Sequence, residues 1–156
     1  MPHHDKIEIL APLFHRMVDE EPSVSEEAKP LRTLSVAELK KSIREEVSWL
    51  LNTRYSRLPF SIHALDDNKK SWNDKSAYGL IDFSHFDVTQ TLGKRKLERH
   101  IKRALEFYES RLQDLVISVK SFNHRDQSAR VVISGDINAV PEAERYTFPV
   151  DVQQAI

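Results

Sequence analysis

The chain contains no cysteine in its 156 residues. Disulfides, thiolate metal sites and cysteine nucleophiles are therefore excluded, and the composition suits the cytosol. Glycine is nearly as scarce. Gly79, Gly93 and Gly135 stand far apart, so no glycine-rich loop is available to cradle a phosphate. The seven histidines are scattered, and no pair has the helical spacing of metal ligands. His3 and His4 are adjacent, which points them to opposite sides of any regular element; they read as an exposed start rather than a site. No serine sits in a nucleophile elbow. No apolar run approaches the ~18–20 residues of a membrane span, and Met1 to Leu10 lacks the uninterrupted apolar core of a signal peptide. The net charge is −1, so nothing global draws the chain to nucleic acid or to an anionic membrane. Electrostatic recognition has to come from local patches.

What is present is the material of a soluble α+β domain. Hydrophobic residues make up 40% and charged residues 30%, ordinary for a globular protein. The length allows one domain with a real core, or one domain with an arm. Residues 1–32 read as that arm: an apolar cluster (Ile7, Ile9, Leu10, Leu13, Phe14, Met17, Val18) and then an acidic linker. The domain is expected over 33–156.

The clearest helix is expected at 34–52. Ser35 and Glu38 have capping-box spacing, and Leu34 with Leu39 that of a hydrophobic staple. Val36, Leu39, Ile43, Val47, Leu50 and Leu51 then share one face. Trp49 falls opposite them, either covered by the returning arm or exposed as an aromatic anchor for a partner protein. After Arg54 the pattern breaks. Tyr55 to Leu65 allows a strand around Pro59, 66–75 reads as a loop, and Tyr78 to Phe83 is a compact turn in which Gly79 supplies unusual backbone angles.

A second helix is expected from about Thr89 to Tyr108. Leu97, Ile101, Ala104, Leu105 and Tyr108 mark its apolar face, and Arg95, Arg99, Lys102 and Arg103 its basic one. Lys94, Arg95 and Lys96 lie at the positive end of the macrodipole and Glu106 and Glu109 at the negative end, the reverse of what helix stability favours. The basic face reads as solvated or as a patch for an acidic partner protein. Glu98 and Glu106 interrupt it, and no aromatics interleave with it, which speaks against nucleic acid.

The helix closes on Glu109-Ser110-Arg111-Leu112, and the rest reads as strand and turn. Leu115–Val119, Arg130–Ile137 and the alternating Phe148, Val150 and Val152 are three strands, with a turn at 123–126. Pro149 argues for an edge position in the last. The expected class is α+β: two amphipathic helices packed on a small mixed or antiparallel sheet with an exposed edge strand.

Four segments, in order, resemble one family. They are Leu10 to Pro22; Ser35 to Arg54, ending Trp49-Leu50-Leu51-Asn52-Thr53-Arg54; Ser76-Ala77-Tyr78-Gly79-Leu80-Ile81-Asp82-Phe83-Ser84; and Glu109-Ser110-Arg111-Leu112. Together they are similar to the TssE family of type VI secretion baseplate subunits, itself similar to a contractile-phage wedge protein once labelled lysozyme-like. Ser110 stands where the family carries proline, and Ile81 where it often does. The resemblance implies a non-enzymatic cytoplasmic subunit without cofactor or metal, inserted in no membrane. Implied partners are the wedge subunits TssF and TssG, the sheath subunits TssB and TssC, and TssK. A sheet edge, from the strand at 145–152 or the one at 130–137, would accept the first sheath ring. Glu109 and Arg111 are then candidate partner or bracing residues, joined by Trp49, Arg54, Arg99, Lys102 and Arg103 as candidate partner contacts. The lysozyme-like label leaves an alternative, a peptidoglycan hydrolase with Glu109 as its acid. That chemistry needs a second carboxylate across a cleft, with Glu106 and Asp114 nearest in sequence.

Overall fold

The computed structural model describes residues 9–10, 23, 33–54, 78–83, 86–123, 125–138 and 144–153. In chain order these form β1 (Ile9–Leu10), β2 (Thr33–Leu34), α1 (Val36–Asn52), α2 (Thr91–Tyr108), β3 (Leu112–Asn123), β4 (Ser128–Ile137) and β5 (Glu144–Gln153). Most of the arm at 1–32, the strand at 55–65, the loop at 66–75 and His124 lie outside the described residues. β1, in the arm, pairs antiparallel with β2 at the start of the domain, setting Ile9 opposite Leu34.

α1 begins where its sequence says. The Ser35 hydroxyl accepts the Glu38 N–H at 3.3 Å, and the Glu38 carboxylate accepts the Ser35 N–H at 2.7 Å. Two backbone donors at the helix start are thereby satisfied. Leu39, Ile43, Val47, Leu50 and Leu51 are all buried on one stripe. The helix ends at Thr53, whose N–H reaches the Leu50 carbonyl and whose hydroxyl reaches that of Trp49.

α2 has no such cap: Gln90 makes no side-chain bond to the first turn. Just ahead of it, the Asp87 carboxylate accepts the Thr89 N–H and the Gln90 side-chain amide, placing a negative charge beside the uncompensated N-terminus. Gly93 is buried because the first turn lies on the backbone of Asp87 and Val88; a Cβ there would run into the Asp87 carbonyl. Leu97, Ile101, Ala104 and Leu105 are buried as their spacing predicts. His100 is buried too, stacked on Phe86 at 5.5 Å between ring centres.

The sheet is antiparallel in the order β3-β4-β5. The strands run longer than the apolar alternation alone suggests, because pairing with β4 recruits Leu112–Gln113 and Ser121–Asn123 on β3. Ala129, Val131, Ile133 and Ile137 of β4 and Phe148, Val150 and Val152 of β5 face the helices and are buried. Burial of one such side chain stabilises the fold by roughly 1.5–3 kcal/mol. α2 covers β3, and α1 lies along β5. The opposite sheet face is polar, carrying the ion pairs Arg130–Asp151 and Arg145–Asp136 and a Ser134–Thr147 hydroxyl contact.

The strand order corrects one expectation. The segment at 130–137 is the central strand, bonded on both sides, and cannot offer an edge. β5, with its proline, lies at the margin of the sheet. β3 is marginal as well, but two register shifts break its line, and the Glu98 carboxylate accepts the Val119 N–H beside the second at 2.9 Å.

Candidate functional site

The helix-to-sheet corner is built around Arg111. Glu109 leaves α2 with non-helical angles, its N–H still bonded to the Leu105 carbonyl. Its carbonyl accepts from Leu112, so the turn closes within two residues. That brings the Arg111 side chain back onto Glu109. Arg111 Nε donates to Glu109 Oε1 at 2.6 Å, and Nη2 donates to Oε2 of the same carboxylate. Nη2 also donates to Glu46 Oε2 at 2.7 Å and Nη1 to Ser42 Oγ at 3.3 Å, both on α1; Ser42 Oγ donates in turn to Glu46 Oε1 at 3.0 Å. One guanidinium thus ties the start of the sheet to both helices. Its planar fork suits two carboxylates at once. Burial by itself would lower the Arg111 pKa. The hydrogen bonds and charge of Glu109, and then Glu46, outweigh it and hold the pKa above its ordinary value.

Two further family segments meet at this corner. Gly79 has φ +117°, and a Cβ there would collide with the Thr53 carbonyl. That carbonyl accepts the Leu80 N–H at 2.8 Å, and Arg54 bridges to Leu80 in parallel. The end of α1 and the Tyr-Gly-Leu turn are therefore one joint. Tyr78 then lies edge-on against Tyr108 at 5.3 Å, and Tyr108 against Phe107 at 4.8 Å. Burial first, and then the negative charges of Glu46 and Glu109, push the Tyr78 hydroxyl pKa up.

The residues picked from sequence do not converge on one surface. Glu109 is 4% exposed and wholly engaged by Arg111, so an approaching molecule meets this network through Glu46 and the margin of Arg111. Trp49 is 62% exposed on the outer side of α1. Arg54 is exposed at the Gly79 joint. Arg99 and Lys102 are exposed on α2, where Lys102 sits 3.9 Å from Glu106, and Arg103 is half-buried. Sequence reasoning missed Ser42 and Glu46. Their only signal is a four-residue spacing at the border of an apolar stripe. It also missed Glu98, treated as an interruption of the basic face, and Asn52, which bonds to the backbone of β5. Among the described residues no group of three potential metal ligands comes together, and no helix is long and apolar enough to cross a membrane.

Two helices on one face of a three-stranded antiparallel sheet, cross-linked at their corner by a half-buried arginine, define a small α+β domain. The model of the family described as baseplate wedge protein gp25 matches residues 37–142, and the chain belongs to that family. The matched span contains the Leu-Leu-Asn-Thr-Arg end of α1, the Tyr-Gly-Leu turn and the Glu-x-Arg-Leu corner. Among solved structures, a chain of "The baseplate complex from the type VI secretion system" is 14% identical, covering 76% of this chain and 97% of its own length, with a TM-score of 0.48. No curated protein matches the chain.

Proposed function

We propose that this wedge-family protein is a non-enzymatic, TssE-type subunit of a type VI secretion baseplate. In this reading it works in the cytoplasm, joins the wedge subunits TssF and TssG, with TssK beside them, and offers β5 to the sheath subunits TssB and TssC, so that the first sheath ring forms on it. The observation that carries the reading is family membership through a matched span in which the end of α1, the Tyr-Gly-Leu turn and the Glu-x-Arg-Leu segment lie together in the fold. The marginal position of β5 supports the sheath contact, because an incoming strand can pair with it main chain to main chain. Glu109 and Arg111 serve assembly by fixing the corner. Trp49, Arg54 and the basic face of α2 at Arg99, Lys102 and Arg103 are the surfaces this reading assigns to wedge partners.

The hydrolase alternative finds no support in this geometry. A glycosidase acid needs a free carboxyl in a cleft, with a second carboxylate ~5–9.5 Å away. Both oxygens of Glu109 instead accept bonds from Arg111, and Glu46 is held by the same guanidinium.

The test is complementation of a host strain lacking the gene, with fluorescent sheaths counted and partners recovered by affinity capture. Wild type should restore sheaths and bring down wedge subunits. Thr147→Pro, which removes a backbone donor on the open side of β5, should keep the wedge subunits and lose the sheaths. Recovery of neither wedge nor sheath subunits with folded wild type would overturn the reading.

A further inference from the structure

The open side of β5 is partly occupied from within the chain. α1 runs along the strand, and Lys40, Arg44, Ser48 and Asn52, spaced four apart, line it. At one end Lys40 bonds Glu144 at 2.6 Å and lies over the Tyr146 ring. At the other, Asn52 Nδ2 donates to the Asp151 carbonyl at 3.1 Å, and Asn52 Oδ1 accepts the Gln153 N–H at 2.8 Å. The carboxamide pairs with β5 as the peptide unit of a neighbouring strand would. These bonds also reveal which backbone groups face outward. Asp151 and Gln153 turn theirs away from β4, and by the two-residue period so do Pro149, Thr147 and Arg145. Pro149 contributes a carbonyl only.

Beside this stretch lies a groove lined by Arg44, Ser48, Arg130, Pro149, Val150 and Asp151. The other cations along the edge are already matched: Lys40 with Glu144, Arg130 with Asp151, Arg145 with Asp136. Among the described residues Arg44 is exposed and has no carboxylate partner. We propose that the groove takes an extended segment of a partner protein carrying one carboxylate side chain. The segment pairs its main chain with β5 over Arg145 to Pro149, its carboxylate meets Arg44, and Asn52 ends the paired stretch and so sets its register. The inference rests on the reading of β5 as the docking edge, and adds what kind of strand that edge selects.

The test uses the isotope-labelled full chain and two synthetic peptides, Thr-Val-Thr-Glu-Thr-Val-Thr and the same sequence with Lys for Glu. The Glu peptide should shift and protect the amides of Arg145 and Thr147, and bind at least about tenfold more tightly than the Lys peptide. Arg44→Glu should reverse that order. Asn52→Ala should extend the peptide's protection to the Gln153 amide. Equal binding of the two peptides, binding that leaves Arg145 and Thr147 unmoved, or no saturable binding in wild type or Asn52→Ala would overturn the inference. The two readings fail separately. If wedge and sheath subunits co-purify with wild type while both peptides fail, the acidic groove is wrong and the baseplate role stands. If the peptides behave as expected and no baseplate partner is recovered, the reverse holds.

Discussion

The corner around Arg111 and the margin along β5 are assembled from the same residue types, and burial sets them apart. At the corner the Glu109 side chain is 5% exposed and that of Arg111 19%. Both carboxylates there meet the same guanidinium. Along β5 the Arg130 and Asp151 side chains are 61% and 56% exposed, so water solvates either partner alone. A buried pair costs little while complete and a great deal when one member is removed. An exposed pair contributes little in either state. The contrast teaches where each region can change. The corner must stay whole for the helices to keep their angle to the sheet, whereas the margin can exchange partners.

The largest effect expected from this contrast is at Arg111. Arg111→Ala leaves Glu109 buried beside Glu46 and should cost about 3–5 kcal/mol, read as a fall in Tm of roughly 10 °C for a chain of this size. If Arg111→Ala melts like an Arg130 variant, the distinction between the two regions is gone. Gly79→Ala comes next. It forces an L-residue to φ +117° against the Thr53 carbonyl, and should cost about 2–3 kcal/mol by denaturant melting. Glu98→Ala should cost about 1–2 kcal/mol, since the half-buried Val119 N–H loses its acceptor; its signature is faster hydrogen exchange confined to Val119 and its neighbours on β3.

The smallest effect sharpens the comparison at the margin. The hydrogen bond from the Arg130 guanidinium, aided by its charge, holds the Asp151 carboxyl below the usual carboxylate range against an opposing desolvation. A folded pKa below the unfolded one adds stability above the unfolded value, and this is lost as pH falls through the folded one. Arg130→Ala should therefore lower Tm only slightly at neutral pH. The difference from wild type should vanish in acid and shrink in high salt. A large, salt-insensitive loss would mean that β5 is braced like the corner.

The secondary structure was largely legible because its signals lie within a few residues of one another. The Ser35–Glu38 cap, the Leu39-to-Leu51 stripe and the alternation from Phe148 to Val152 each satisfy or bury groups locally, and the fold uses them as written. The special conformation at Gly79 and the edge position of the proline-bearing strand were legible on the same grounds. The candidate site was legible only in part. The spacing of Glu109 and Arg111 announces a pair, but Ser42 and Glu46 lie 69 and 65 residues from Arg111, and no local pattern links them to it.

The sequence by itself thus determined two amphipathic helices, three strands, an α+β class and the absence of cysteine chemistry. Only the tertiary structure decided that 130–137 is the central strand, that Arg111 faces inward to two carboxylates, that Gly79 is required because Thr53 lies against it, and that Asn52 occupies part of the β5 edge. Caps and periodicities are satisfied between neighbours in the chain. Strand order, ion-pair partners and edge contacts depend on which distant surfaces packing brings within a few ångströms.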